Sequence, residues 1–567
     1  MKKILLRIIP LLAVLLVVSD AFGQLLYFDG AGRAVVANDR LKGDLIKGDT
    51  ISPNRGTSGY TLIDFGVNIK PTENFKARIE LRARNNFGQF FGAGTSVNLR
   101  QIQIEGNIRK RLYYALGDID VKMTPFTVFN NYEQYHRYEA EIFTLRRNIV
   151  QYENFNSGNN WRMQGVKAFS DLALDSLDLV RFSAFATRTR VSNNTDIPDR
   201  FLVGISGNFV RNKSIVIGAN YVGLLDNSPT NYNVNYANNV YTTNYRVALT
   251  KEKLVLAIQG ESGISSYRNE NKNKDTVVTY QDYFVEAGAE ANWIPRTLKF
   301  SLGYRNVGPQ FSSPAAQTQR IAPTAVPDLF PNVQNGVTSR GQLLSDRYTQ
   351  ERMYNQAINP LLFQVLPIYS LVLPYGVATP NRQGLFLILT KASSKQIYEA
   401  EVEVNSLSEI VGEGTDKLRK YLLVKGGLQF NVDKLVNVNR NLVISLGAKQ
   451  ESSNRDGLSP IKLETQLIDA GLRIETLKDL ELLAGLKYLT ASGNEYLLTR
   501  DDYNTAVGYT EVNYKITQNV IALGLKYSFT KNSHFTVHFN KSSLKDILST
   551  TSSYEMNQLF LNYSVKF

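Results

Sequence analysis

Residues Phe75 to Arg84 alternate without a break. Phe75, Ala77, Ile79, Leu81 and Ala83 are apolar, and Lys76, Arg78, Glu80, Arg82 and Arg84 are charged. Successive side chains of a strand leave opposite faces, so this run needs a sheet that is dry on one side and wet on the other. The same period recurs. Leu298, Phe300, Leu302 and Tyr304 alternate with Lys299, Ser301, Gly303 and Arg305. Leu442, Ile444, Leu446 and Ala448 alternate with Asn441, Ser445, Gly447 and Lys449. Ile521, Leu523, Leu525, Tyr527 and Phe529 alternate with Ala522, Gly524, Lys526 and Ser528. A soluble sandwich also alternates. Here, though, the apolar face often ends in Tyr or Phe, and the opposite face mixes charges with Gly, Ser and Ala, which a wide polar lumen accepts.

The connections sharpen this reading. Pro71–Asn74, Asn107–Lys110, Arg211–Ser214, Lys251–Lys253, Ile294–Thr297 and Leu477–Asp479 read as tight turns, and the segments between the resulting hairpins are longer and rich in Asn, Ser, Gly and Asp. The fold class is therefore all-β: a transmembrane antiparallel barrel of about 22 strands, within a range of roughly 18 to 24, with long external loops. Strands are expected to begin near residues 26, 60, 75, 97, 111, 160, 178, 200, 214, 239, 253, 278, 297, 385, 397, 418, 440, 461, 480, 507, 533 and 556. Within 507–530 the phase slips near Thr517-Gln518, and one strand with a bulge is preferred to two strands, which would make the count odd.

Residues 1–23 read as a secretory signal. Lys2 and Lys3 form its basic start, Ile4 to Val18 is almost wholly apolar, and Ala21-Phe22-Gly23 supplies a small-x-small cleavage site. The barrel would then occupy 24–567. No later stretch has eighteen consecutive apolar residues, so no transmembrane helix is expected. Mean hydropathy is -0.22, although 43% of residues are hydrophobic, a mix that alternation explains. The chain has no Cys, which excludes disulfides, thiolate zinc sites and iron–sulfur clusters. Formal charge is +13, and removing Lys2, Lys3, Arg7 and Asp20 with the signal leaves a strongly basic mature chain. The basic residues are spread along candidate strands rather than clustered, so no nucleic-acid partner is expected.

The last residues place Leu559, Leu561, Tyr563, Val565 and Phe567 on one face. This resembles the terminal strand of bacterial outer-membrane proteins, where a final aromatic and alternating apolar residues guide insertion by the barrel-assembly machinery. Leu561, Tyr563, Val565 and Phe567 are the assembly-signal candidates. In 306–384 alternation fails, and Pro309, Pro314, Pro323, Pro327, Pro331, Pro360, Pro367, Pro374 and Pro380 break any ladder. Residues 341–358 could form a short helix. The apolar content, including Leu361, Leu362, Phe363, Val365, Leu366, Ile368, Tyr369, Leu371 and Val372, predicts a folded segment that either enters the lumen or caps it from outside. A second long loop, 123–159, carries Phe126, Phe129, Tyr132, Tyr135 and Tyr138 and is expected to pack with it.

Signal, hairpins and terminal Phe567 together resemble porin-like bacterial outer-membrane barrels. Leu373-Pro374-Tyr375-Gly376 with Thr379-Pro380-Asn381-Arg382, followed by Ser406-Leu407-Ser408-Glu409-Ile410, looks like a family of such barrels without established function. The resemblance implies a fold and a multi-pass outer-membrane location, and it supplies no site residues. A TonB-dependent transporter would need a plug domain ahead of the barrel, whereas strands here start soon after Gln24.

Chemistry is sparse. His136, His534 and His538 are the only histidines. His534 and His538 share a strand face about 13 Å apart, too far for one metal, and read as lumen-lining. His136 lies in an aromatic loop and reads as exposed. No catalytic constellation, cofactor fingerprint or metal set is visible, and no enzyme activity is expected. The inward faces of the clearest strands carry Lys76, Arg78, Glu80, Arg82, Arg84, Lys299, Arg305, Lys449, Lys487 and Lys526, with Lys566 at the terminus and Glu261 and Glu481 as further acids. This cationic excess predicts anion preference, unless inward carboxylates outside the assigned faces neutralise it. The expected function is a porin-like channel for passive diffusion of small hydrophilic, anionic solutes. The alternative is a non-conducting scaffold or partner in secretion or surface assembly. Outer-membrane lipid is the expected surrounding, and a homo-oligomer or a surface-protein partner remains open.

Overall fold

The structure is a computed structural model. It describes residues 25–43, 55–88, 94–131, 136–155, 158–175, 178–193, 197–212, 214–227, 234–271, 275–318, 321, 342–349, 353–354, 356–362, 364–392, 397–501, 505–549 and 553–567. The signal at 1–23, Tyr132, Tyr135, Phe363 and the prolines at 323, 327 and 331 lie outside the described residues.

Twenty-two strands form one antiparallel sheet. They are β1 (Leu26–Gly43), β2 (Arg55–Thr72), β3 (Phe75–Asn86), β4 (Thr95–Ile108), β5 (Leu112–Val121), β6 (Trp161–Ala173), β7 (Asp178–Arg190) and β8 (Asp199–Arg211). There follow β9 (Ile215–Asn227), β10 (Val234–Lys251), β11 (Leu254–Asn271), β12 (Thr276–Trp293), β13 (Leu298–Val307), β14 (Arg382–Lys391) and β15 (Tyr398–Ser408). The last seven are β16 (Lys420–Asn431), β17 (Leu442–Arg455), β18 (Ile461–Leu477), β19 (Leu480–Arg500), β20 (Ala506–Thr530), β21 (Ser533–Asp546) and β22 (Tyr554–Lys566). Twenty of the strands begin within three residues of the expected start, and β2 and β10 begin five residues before it. Neighbours in sequence pair in space, and β22 pairs with β1 from Ala31↔Lys566 to Gly43↔Tyr554. The sheet is therefore closed and has no free edge. At the seam Gly30 and Phe567 exchange both backbone hydrogen bonds, at 2.9 and 3.1 Å.

Why the chain closes this way follows from its two faces. Ile79, Leu81, Ile258, Leu302, Leu446, Leu523 and Leu525 are exposed on the outer wall. Trp293, Tyr398, Tyr527, Phe529 and Tyr563, also exposed, lie toward the end that carries the termini. An apolar outer belt with interfacial aromatics is the surface of a barrel in lipid, and closure satisfies every ladder hydrogen bond without water. No helix among the described residues is long and apolar enough to cross a membrane. The inner face carries the polar and charged side chains. Two-residue turns such as those after β2, β10, β18 and β20 lie at the terminal end, and the long connections 122–160 and 308–381 lie at the other.

β20 is one strand of 25 residues. Its pairing with β19 runs in register through Thr517↔Thr490 and Gln518↔Leu489, so the expected bulge is absent. The slip in hydrophobic phase has another cause. About ten residues cross a bilayer, so β19 and β20 rise well beyond it. There the outward side chains Asn513 and Lys515 meet water, while inward Tyr514 and Val520 are buried. The polarity of the faces inverts although the register does not.

Candidate functional site

Two inward-folded segments occupy the lumen. The first, from the β5–β6 connection, contains helix α1 (Glu141–Glu153). Its own sequence caps it poorly: Ala140 stands at the N-cap without a side-chain bond. The barrel wall supplies the caps. At the N-terminus the Asp469 carboxylate of β18 accepts the Ala140 N–H at 3.3 Å. At the C-terminus Arg82 donates to the Glu153 carbonyl at 3.1 Å and Arg100 to the Tyr152 carbonyl at 2.9 Å. Acid at the start and cations at the end complement the helix dipole. Thirteen residues make a beam about 20 Å long, running from β18–β20 to the wall of β1–β4.

Each end of the beam is an ion-pair network. Glu141 meets Lys526 at 2.8 Å and Arg473 at 2.6 Å. Burial opposes charge on Glu141, yet these two cations hold its carboxyl below the ordinary value of 4.5. Glu139 meets Arg147 and Lys487, both at 2.5 Å, and Lys487 also reaches Asp469 at 2.8 Å. Lys487 is 0% exposed. At the far end Glu153 receives Arg33 at 2.5 Å and the Tyr60 hydroxyl at 2.7 Å, while the Tyr152 hydroxyl donates to Asp64 at 2.7 Å.

Five adjacent strands contribute an inward glycine where this segment crosses: Gly427, Gly447, Gly471, Gly485 and Gly524. A Cβ at Gly427 or Gly447 would collide with the His136 ring, one at Gly471 with Ala140, and one at Gly485 with Ile142 and Phe143. The glycines make a trough that lets chain 136–143 lie directly on the wall. His136 is therefore buried, not exposed as its loop position suggests. Its Nδ1 accepts the Tyr138 N–H, and its Nε2 lies 3.2 Å from an Asp469 carboxylate oxygen. His538, also buried, lies beside the Phe560 ring. No group of three potential metal ligands occurs among the described residues.

The second segment, 308–381, is held differently. Leu344, Tyr348, Tyr369, Leu371 and the α1 residues Ile142 and Phe143 share one apolar cluster with wall residues Leu463, Leu483, Leu489 and Val520. Helix α2 (Pro314–Gln317) lies upstream of 341–358, and within that range the helix among the described residues is one short turn, α3 (Asp346–Thr349). Backbone groups find wall side chains. Gln518 accepts the Leu344 N–H at 2.7 Å, Glu451 accepts those of Leu371 and Val372 at 3.2 and 3.1 Å, and Lys449 donates to the Tyr369 carbonyl at 2.9 Å. The two segments also bond to each other, with Ser313 Oγ donating to the Phe126 carbonyl at 2.8 Å.

The run quoted for the family resemblance is a latch. Asn381, at φ +58°, accepts the N–H groups of Ile410 and Val411 at 2.9 and 3.0 Å and donates to the Val411 carbonyl at 2.8 Å. Arg382 donates to the Val372 carbonyl and stacks 3.8 Å over the Tyr421 ring. Glu409, fully buried, accepts the Arg419 N–H and the Tyr421 hydroxyl.

The sequence-assigned lumen residues stand as follows. Arg78 pairs with Asp29 and Glu80, Arg82 with Asp64, and Arg84 with Glu153. Lys299 pairs with Glu290, Arg305 with Glu286, Lys449 with Glu451, Lys487 with Glu139 and Asp469, and Lys526 with Glu141 and Glu481. Lys76 stands over the Tyr27 ring, and Glu80 also holds Arg100. Glu261 accepts the Thr124 hydroxyl at 2.7 Å. On β22, Tyr563 is exposed on the outer wall and Phe567 is exposed at the closing seam, while Leu561 and Val565 share their parity. Sequence reasoning missed Asp29, Asp64, Glu139, Glu286, Glu290 and Glu451, although Asp64, Glu286 and Glu290 lie on the polar face of alternating stretches. It also missed the glycine trough, whose only sequence signal is one Gly at matching depth in successive strands.

Toward the external end, a cleft of 380 Å³ opens between the second segment and the rim, adjoined by one of 220 Å³. Pro309, Leu362, Pro380, Asn381, Glu413 and Arg500 line both.

No family model matches the chain, and no curated protein matches it. Solved structures do. A BenF-like porin from Pseudomonas fluorescens Pf-5 aligns over 96% of this chain and 99% of its own, at 6% identity and a TM-score of 0.36. Pseudomonas aeruginosa OccK5 (OpdH) aligns over 95% and 98%, at 7% identity and a TM-score of 0.36. The P pilus usher (PapC) translocation pore aligns over 94% and 99%, at 8% identity and a TM-score of 0.34. The closed sheet and its outer belt, independently of these likenesses, make the chain a multi-pass β-barrel of the bacterial outer membrane.

Proposed function

We propose that the protein is an outer-membrane channel for small hydrophilic solutes, narrowed by the two segments that lie in its lumen. One observation carries this reading. At the terminal-end mouth the inner wall is polar and partly exposed: the side chains of Lys299 and of the Arg181–Asp171 pair are 49%, 54% and 41% exposed. A wall of that kind suits a water-filled bore. The anion preference is small, because nearly all the assigned inward cations stand against carboxylates. The final strand, with its outward apolar side chains, serves recognition by the barrel-assembly machinery. A second reading, a non-conducting scaffold for secretion or surface assembly, is favoured by α1 and by Leu344, Tyr348 and Tyr369, which are buried in the bore.

Planar-bilayer recording of refolded protein under a salt gradient tests this. Discrete steps with a reversal potential near zero or slightly anion-directed support a narrowed channel. Silence from folded protein sinks it in favour of the scaffold.

A further inference from the structure

We propose that the outer end of the β19–β20 hairpin is a hinged lid over the external mouth, closed in this structure. The proposal rests on the channel reading, whose entrance the lid gates.

The hairpin outgrows its neighbours. Pairing of β18 with β19 stops at Lys462↔Asn494, and pairing of β21 with β20 stops at Ile516↔Asp546. β19 and β20 go on pairing with each other up to Arg500↔Ala506. Residues 495–500 and 506–515 therefore form a two-stranded ribbon with no further strand beside it among the described residues. Ten residues of strand reach about 30 Å. This ribbon leans over the second segment. Tyr496, Leu497 and Leu498 line the 380 Å³ cleft opposite Leu361 and Leu362, and the Tyr509 ring lies against Gly414. The Thr505 and Tyr280 hydroxyls hydrogen-bond at 3.1 Å. Tyr280 belongs to β12, eight strands round the wall from β20, so the ribbon crosses the mouth.

Its two ends are held unequally. At the root, buried Glu495 pairs with Arg419 at 2.9 Å, Asn494 donates to the Pro460 carbonyl at 2.8 Å, and Tyr514 belongs to the apolar cluster of the lumen. Contacts at the far side are wetter. The Tyr280–Thr505 bond is exposed, and about a quarter of each side chain of the Glu413–Arg500 ion pair is exposed. Exposed polar contacts of this kind are weak. A fixed roof would bury apolar side chains, whereas Leu497 and Leu498 are half-buried and Val507 is exposed. The hinge is Gly493, at φ +114°, where β19 parts from β18 and a Cβ would collide with the Lys462 carbonyl oxygen. Hinges are residues at element ends that absorb large backbone rotations, and glycine does so most freely. The ribbon swings as a unit because Asn494 bonds Glu511 at 3.0 Å and Asp501 accepts the Thr505 N–H at 2.9 Å. Opening costs only the far contacts, so both positions are populated.

The chain has no Cys, so spin labels go only where cysteines are introduced. The test is electron–electron distance measurement on the full barrel in lipid nanodiscs. Labels at Val507→Cys and Val277→Cys, both exposed, should give two distances, the shorter for the closed lid. Labels at Lys515→Cys and Val277→Cys, with the first at the root, should give one. Tyr280→Phe removes one hydroxyl partner and should raise the open-to-closed ratio about two- to tenfold, the scale of one neutral hydrogen bond. A single 507–277 distance describes a fixed roof, and a broad featureless distribution describes a frayed ribbon. Either overturns the proposal. Because the spectroscopy needs no current, a silent bilayer with two distances refutes the channel alone. Steady conductance with a single distance refutes the lid alone.

Discussion

The two segments in the lumen share one bore and one apolar cluster, yet they are fastened by opposite means. Chain 136–155 buries Ala140, Ile142 and Phe143 in that cluster, but charges fasten both of its ends. It is held by Lys487, Lys526, Arg473, Arg33, Arg82 and Arg100, with the glycine trough bringing its backbone onto the wall. Chain 342–382 is held by buried Leu344, Tyr348, Tyr369 and Val372, and its backbone is satisfied by neutral and charged wall side chains. A buried ion pair is costly to desolvate and strongly destabilising when half-removed. Apolar burial is indifferent to salt and pH by comparison. The contrast identifies α1 as the segment that responds to the medium, and 342–382 as the fixed one.

The comparison can be broken most sharply at Lys487. Lys487→Met leaves Glu139 and Asp469 buried without their shared cation, and should loosen α1 by about 3–5 kcal/mol. Limited proteolysis should then cut within 136–155 while the barrel and the second segment stay intact. Leu344→Ala should loosen the other segment instead, by about 2–5 kcal/mol depending on how far the cavity relaxes. Its effect should not vary with ionic strength, as thermal unfolding in low and high salt would reveal. Gly485→Val drives a side chain against Ile142 and Phe143 and should lift α1 at a cost of about 1–3 kcal/mol. Here hydrogen exchange should rise along 140–153 and not at 364–378.

The smallest effect sharpens the comparison through pH. The Glu141 carboxyl is depressed when docked, so its contribution is fully present above the ordinary value of 4.5 and is lost as pH falls through the lower docked value. Exchange protection of α1 should therefore decline below that ordinary value in the wild type. In Glu141→Gln the decline should be flatter, and the second segment should show none of it. Equal acid sensitivity of both segments would contradict the division.

The barrel was legible in the sequence because a strand in lipid must show its period: outward residues at Ile79, Leu302 and Leu523 had to be apolar. The terminal strand and the even count followed from closure. Where strands leave the bilayer the constraint lapses, which is why β20 misled near Thr517. The helix escaped notice for a related reason. Its partners are charged wall residues, so Arg146, Arg147, Gln151 and Glu153 are buried without an amphipathic pattern to announce them. The neutralising acids were in part legible: Asp64 alternates with Ile63 and Phe65, and Glu286 with Val285 and Ala287, but those faces were not among the ones assigned. His136 looked like a loop residue because the glycines that receive it are about three hundred residues away in sequence.

The central claim is that α1 is a removable beam narrowing an otherwise conductive bore. Single-channel recording of the wild type beside Lys487→Met, in matched salt and with both proteins shown to be folded, tests it most directly. A larger and steadier unit conductance in the variant is the predicted result. Identical conductance in the two, or silence from both, would contradict it.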